Sequence, residues 1–133
     1  MRRHPERAEQ AGIVKLLRAV GCDVWVLGTT RRRGDYQGTN QTPGAPDLIV
    51  LLPRDLGVLF VEVKAKGGRL RVEQRRFRDA CLRYMAAGRG IYYATGGVDA
   101  VILTLIGLHL LKPEQVAWYR HPHPPVVDME GLR

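Results

Sequence analysis

The 133 residues are 45% apolar and 26% charged, which suits one compact domain and argues against a disordered segment or two domains. Lys and Arg number 21 against 13 Asp and Glu, a net charge of +8; 17 of the cations are Arg, whose planar guanidinium makes bidentate contacts with phosphate, so a polyanionic partner is expected. Cys22 and Cys81 fit no CxxC or Cys/His pattern, the N-terminus lacks an apolar signal core, and the most apolar stretch (101–111) is too short for a bilayer, which argues against a zinc site, a disulfide framework and a membrane span and for a soluble protein in a reducing compartment.

Residues 5–20 read as a helix, with Pro5 in its first turn, an apolar side from Ile13, Val14, Leu16, Leu17 and Val20, and a stop at Gly21. "CDVWVLG" alternates like a strand. The run from Thr29 to Ala45 has almost nothing to bury and is longer than an ordinary connection in a small domain, so it is either functional or disordered. "DLIVLL" and "GVLFVEVK" are near-continuous apolar strands, joined by "PRDLG", which is short enough for a hairpin. Their sequences require cover on both faces. From Arg71 to Ala87 the residues Gln74, Phe77, Cys81 and Tyr84 recur at spacings of three and four, a helix whose stripe turns toward the sheet. "GIYYAT" (90–95) is a fourth strand, and "GVDAVILTLIGLHLL" a helix apolar nearly all round, suited to burial or to a subunit interface. The Pro-rich remainder reads as a tail that docks through Trp118 and Tyr119. The resulting fold class is α/β, with αβββαβ order, a mixed sheet flanked by helices on both faces, and an extra C-terminal helix.

Each central strand carries an acid. The period of two puts Glu62 and Lys64 on one face of "VEVK" and Val61 and Val63 on the other, while Asp47 follows Pro46, which cannot donate a ladder hydrogen bond. Register decides whether the acids meet. Pairing Leu52 with Val58 would turn Asp47 away, whereas pairing Leu52 with Gly57, or a bulge of equal effect, sets Asp47 opposite Glu62 with Cβ atoms about 4.5–5.5 Å apart. The second arrangement is expected. Two carboxylates so close stay ionised near neutral pH only around a cation, and all-oxygen ligation suits Mg²⁺ or Mn²⁺, with the Val63 backbone carbonyl as a third protein ligand. Such a metal activates water against a phosphodiester, and Lys64 is placed to position that water or to stabilise developing charge. The plainer alternative is a turn aspartate beside a Glu62–Lys64 ion pair, but strands apolar on both faces suit a solvated pair poorly.

These residues, Pro46-Asp47 followed by Glu62-Val63-Lys64, resemble the signature of the PD-(D/E)XK nuclease superfamily. More narrowly, "PGAPDLIVLL", "LFVEVKAKGGRLRVEQRRF" and "GIYYATGGVDAVI" are similar to the VRR-NUC family over roughly residues 5–110. The resemblance implies a PD-(D/E)XK core and metal-dependent phosphodiester hydrolysis. Asp47, Glu62, Lys64 and Gln74 would be catalytic, with Asp47, Glu62, the Val63 carbonyl and Glu6 around the metal. Glu9 competes with Glu6 for the helix position near the metal; Glu6 aligns better with Gln10, Ile13 and Leu17. Stand-alone members resemble Holliday-junction resolving homodimers, so branched DNA is the expected substrate, in a bacterial or phage-infected cytoplasm. Flap or duplex cleavage and a non-catalytic nucleic-acid-binding module are the alternatives. The nuclease-like domain is placed at 1–112 and the tail at 113–133.

Residues 64–89 hold nine basic residues against two acids. Lys66, Arg69, Arg71, Arg75 and Arg76 are expected to contact backbone phosphates, and so are Arg31, Arg32 and Arg33, with Tyr36 beside them, in the long loop. A merely solvated helix face and a solubilising loop are the corresponding plain readings. His121 and His123 sit among prolines with no carboxylates nearby and are read as tail rather than metal ligands.

Overall fold

Helix α1 (Pro5–Ala19) begins on a proline and ends where Gly21 turns left-handed, at φ 92°, so that Gly21 N–H reaches the Arg18 carbonyl and Cys22 N–H the Leu17 carbonyl. The computed structural model describes residues 5–27 and 42–116. Strands β1 (Asp23–Val26), β2 (Leu48–Leu51) and β3 (Val58–Val63) form an antiparallel meander. Helix α2 (Val72–Ala86) then carries the chain over to β4 (Ile91–Gly96), which pairs in parallel with β3 and completes a sheet of order β1-β2-β3-β4. Helix α3 (Val98–Gly107) follows. This is the mixed, helix-flanked sheet expected from the sequence.

Alternation along β3 sorts the layers. Leu59, Val61 and Val63 are buried with Leu48 and Val50 of β2 against Ile13, Leu16 and Leu17 of α1 and Val101, Ile102 and Leu105 of α3. Phe60 and Glu62 point the other way, toward α2, where the Phe77 ring meets Phe60 edge-on at 5.1 Å and Tyr93 at 6.2 Å. Both faces of β3 are therefore covered, which accounts for its unbroken apolar sequence.

Two helices differ from expectation. Tyr84 does not join the stripe of α2; it is 52% exposed, and its neighbours Leu82 and Met85 are partly so, because α2 packs chiefly over the edge strand β4. The apolar run 97–111 is helical only to Gly107: His109 is left-handed (φ 62°), its N–H turning back to Ile106 O and Leu110 N–H to Leu105 O. Leu111 is buried beyond that turn, and Val116, after a 3₁₀ turn at Pro113–Gln115, still packs on the core. Within α3, Val101, Ile102 and Leu105 are buried in the core, whereas Leu103 is 69% exposed. Among the described residues no helix is long and apolar enough to cross a membrane. Arg31, Arg32, Arg33, Tyr36, Trp118, Tyr119, His121 and His123 lie outside the described residues.

One backbone contact joins the segment before β2 to the start of α2. Gly44 has φ +93°, and a Cβ there would stand 2.5 Å from the Glu73 carbonyl oxygen. Gly44→Ala is expected to cost about 2 kcal/mol or more in urea unfolding, from strain and the clash together. A loss below about 0.5 kcal/mol would show that the contact relaxes freely.

Candidate active site

The β2–β3 register is the one that brings the acids together. Leu48 pairs with Val61, Leu51 with Val58, and Leu52 N–H bonds to Gly57 O at 2.9 Å, so the ladder runs toward Asp47 opposite Glu62. At Asp47 the regular ladder ends. Its N–H reaches Val61 O (3.0 Å), one position out of register with the Leu48–Val61 pair, so two residues at the entry to β2 face one residue of β3. That is a bulge, the second device expected from the sequence.

The bulge follows from Pro46. In the continued register Val63 would exchange hydrogen bonds with residue 46, and proline has no N–H to give. The Asp47 side chain fills part of the gap: its Oδ2 accepts the Val63 N–H at 2.7 Å. The Val63 carbonyl is left without a donor from that ladder position. The Asp47 main chain stays tied to β1 by Leu27 N–H donating to Asp47 O at 2.8 Å.

Glu62 is 4% exposed and is held from α2. Gln74, itself 5% exposed, accepts the Arg71 N–H on Oε1 at 2.8 Å and donates from Nε2 to Glu62 Oε2 at 3.0 Å. The first bond fixes the amide's orientation, so its nitrogen must face the carboxylate. The side chain that satisfies the start of α2 thus also fixes Glu62. Burial raises the Glu62 pKa to about 8, helped by the charge of Asp47 and its carboxyl within hydrogen-bonding reach, and opposed by Lys64. Lys64 follows β3, with its N–H on Gly96 O at 3.0 Å.

The glutamates of α1 divide. The charge of Glu6 is felt only weakly at Glu62, while Glu9 accepts the Val98 N–H on Oε1 at 2.8 Å and caps α3. Glu9 is thus engaged in tying α1 to α3. Glu6 does not close in on the pair: among the described residues no three His, Cys, Asp or Glu side chains gather at one point. Lys66, Arg69, Arg71, Arg75 and Arg76 are exposed along the β3–α2 turn and the first turns of α2, with Arg75 also donating to Leu70 O at 2.8 Å. Both cysteines are free and buried; burial lifts the Cys22 thiol to about 11, and neither belongs to the site.

Sequence reasoning missed two neighbours on β4. Thr95 pairs with Glu62 and Tyr93 with Phe60, so both share the α2 face; burial and the Glu62 charge push the Tyr93 phenol up to about 12, and Thr95 Oγ1 is buried without a hydrogen-bond partner of good geometry. The alternation in "YYAT" would have placed them, had the parallel pairing with β3 been assumed.

The VRR-NUC domain profile matches residues 8–92. A solved structure described as a VRR-NUC domain is similar to this chain with 28% identity and a TM-score of 0.50, over 79% of this chain and 97% of that one. No curated protein matches.

The raised pKa makes a signed prediction for protein in chelator. Folded Glu62 keeps a proton that the unfolded chain releases, so the favourable contribution is present at low pH and is lost as pH rises toward about 8. Between pH 6 and pH 9 the wild type should lose about 2 kcal/mol more stability in urea unfolding than Glu62→Gln, which carries no titrating group. Parallel pH profiles for the two proteins would show that Glu62 titrates as an ordinary carboxyl.

Proposed function

The chain belongs to the VRR-NUC family, a nuclease-type domain acting on DNA, and on that premise we propose a metal-dependent endonuclease that hydrolyses phosphodiester bonds in branched DNA, resolving Holliday junctions as a homodimer. The observation that carries the reading is the break at Pro46, which presents the Asp47 carboxyl beside the buried Glu62 and frees the Val63 carbonyl.

This donor set suits a hard cation. Burial and the neighbouring Asp47 hold a proton on Glu62 at neutral pH, and a dication would take that proton's place. Asp47, Glu62 and the Val63 carbonyl would hold Mg²⁺ or Mn²⁺, their oxygens suiting either ion. When bound, the metal polarises the scissile phosphate and lowers the pKa of a coordinated water. The chain's own groups do the rest. The Val63 N–H and the Gln74 amide hold the two carboxylates in place before substrate arrives. Lys64, on the same strand face as Glu62, orients the attacking water or stabilises charge growing on the phosphate. Lys66, Arg69, Arg71, Arg75 and Arg76 hold flanking phosphates, a contact that carries no sequence information. In a twofold dimer two such sites would face the paired strands of a symmetric four-way junction.

The test is cleavage of a labelled four-way junction beside flap, duplex and single strand, with Mg²⁺ or Mn²⁺. Paired cuts confined to the junction are expected, with a loss of at least ~100-fold in Lys64→Ala and more in Asp47→Asn or Glu62→Gln. Metal-dependent cutting of flap or duplex would keep the chemistry and replace the substrate. Binding of DNA without cleavage under either metal would contradict the enzyme reading.

A further inference from the structure

Among the described residues, the α2 face of the sheet is covered on only one side. Phe77 of α2 lies over Phe60 and Tyr93, whereas at the β1–β2 side of the same face Trp25 is 52% and Leu51 41% exposed. Register fixes where Trp25 stands. It pairs with Ile49, which pairs with Phe60, a row across three strands adjacent to the row that holds Asp47 and Glu62. With strands about 4.8 Å apart and rows about 6.8 Å apart, the Cα of Trp25 lies roughly 12 Å from that of Glu62, a span one nucleotide can bridge.

Resting on the nuclease reading above, we propose that Trp25 is a stacking platform for an unpaired nucleobase next to the scissile phosphate. An indole left half in water has a large flat apolar face and, among the described residues, no aromatic ring against it. The occupant must share this face with a phosphodiester at Asp47 and Glu62. A protein partner seated on Trp25 would obstruct that approach, whereas the strand being cut brings a base there in the same step. Charge agrees, because Lys64, Lys66 and Arg69 follow Glu62 at and just beyond the end of β3, with Lys66 and Arg69 exposed. Every base has a π-face, so the contact selects an unstacked base without selecting its identity. The substrate class follows: DNA whose base beside the cut is unpaired, as at a flap or gap, or can be unstacked at the branch point of a junction, in preference to continuous duplex.

The test uses the full chain with Trp118→Phe, which leaves Trp25 as the sole tryptophan, and with Glu62→Gln for binding. Single-stranded and branched DNA should quench its fluorescence and continuous duplex should not. Trp25→Ala should weaken binding of single-stranded and branched DNA about 5- to 100-fold and leave duplex binding unchanged, with Trp25→Phe retaining most of the affinity. Trp25→Leu, which keeps apolar bulk without the aromatic face, should behave like Trp25→Ala. Equal losses on duplex and branched DNA, or full affinity in Trp25→Leu, would overturn the proposal. So would a dimer that dissociates in sedimentation on Trp25→Ala, which would assign the face to a second copy. Cleavage with Glu62 intact separates the two claims. If the parent protein cuts branched DNA and Trp25→Ala cuts it equally well, only the platform fails; if the parent neither binds nor cuts DNA, the nuclease reading fails first.

Discussion

A missing hydrogen-bond donor organises this molecule. Pro46 stands where the β2–β3 ladder would next exchange hydrogen bonds with Val63, and it has no N–H. The Asp47 N–H falls back on Val61 O, its carboxylate takes the Val63 N–H, and the Val63 carbonyl is released from the ladder. One residue type thereby produces the bulge, the orientation of the first acid and a carbonyl without its ladder donor beside the second. The ladder bond lost there is small, about 1 kcal/mol net, and the Asp47–Val63 bond offsets much of it.

The second acid is costly in a different way. Glu62 is almost completely buried, so its charged form is disfavoured, and the surrounding structure holds the side chain in place. Gln74 is the key to that restraint, because the side chain that receives the Arg71 N–H at the start of α2 also donates to Glu62. The crossover helix is thus registered on the sheet through the site itself. On the other face Glu9 serves as a structural cap, joining the first helix to the last through Val98. Two glutamates three residues apart on α1 consequently belong to different parts of the molecule.

Much of the arrangement was legible in the sequence because strands have a strict period. Once Leu52 opposes Gly57, the positions of Asp47, Glu62 and Lys64 on one side of the hairpin follow by counting, and proline before Asp47 already signals a bulge. Helix faces were less legible. The spacing that includes Tyr84 is sound, but spacing cannot say how far the covering surface extends, and Tyr84 is left exposed. The length of α3 was overestimated because apolar composition does not distinguish a helix from a buried turn that closes through the left-handed His109. Helical spacing favoured Glu6 over Glu9, but the role of Glu9 could not be read without the position of α3, a contact spanning 89 residues. Tyr93 and Thr95 needed the parallel pairing of β4, which no local pattern encodes.

The central claim is that Asp47 and Glu62 form one cation site in which the metal displaces a proton. Calorimetric titration of Mn²⁺ into the protein, repeated at pH 7 in buffers of different ionisation enthalpy, measures both binding and proton release. Because the Glu62 pKa lies near 8 before metal binds, the account predicts a single site that releases close to one proton at pH 7, much less at pH 9, and is lost in Asp47→Asn. Binding of equal strength in Asp47→Asn, or binding at pH 7 without proton release, would contradict it.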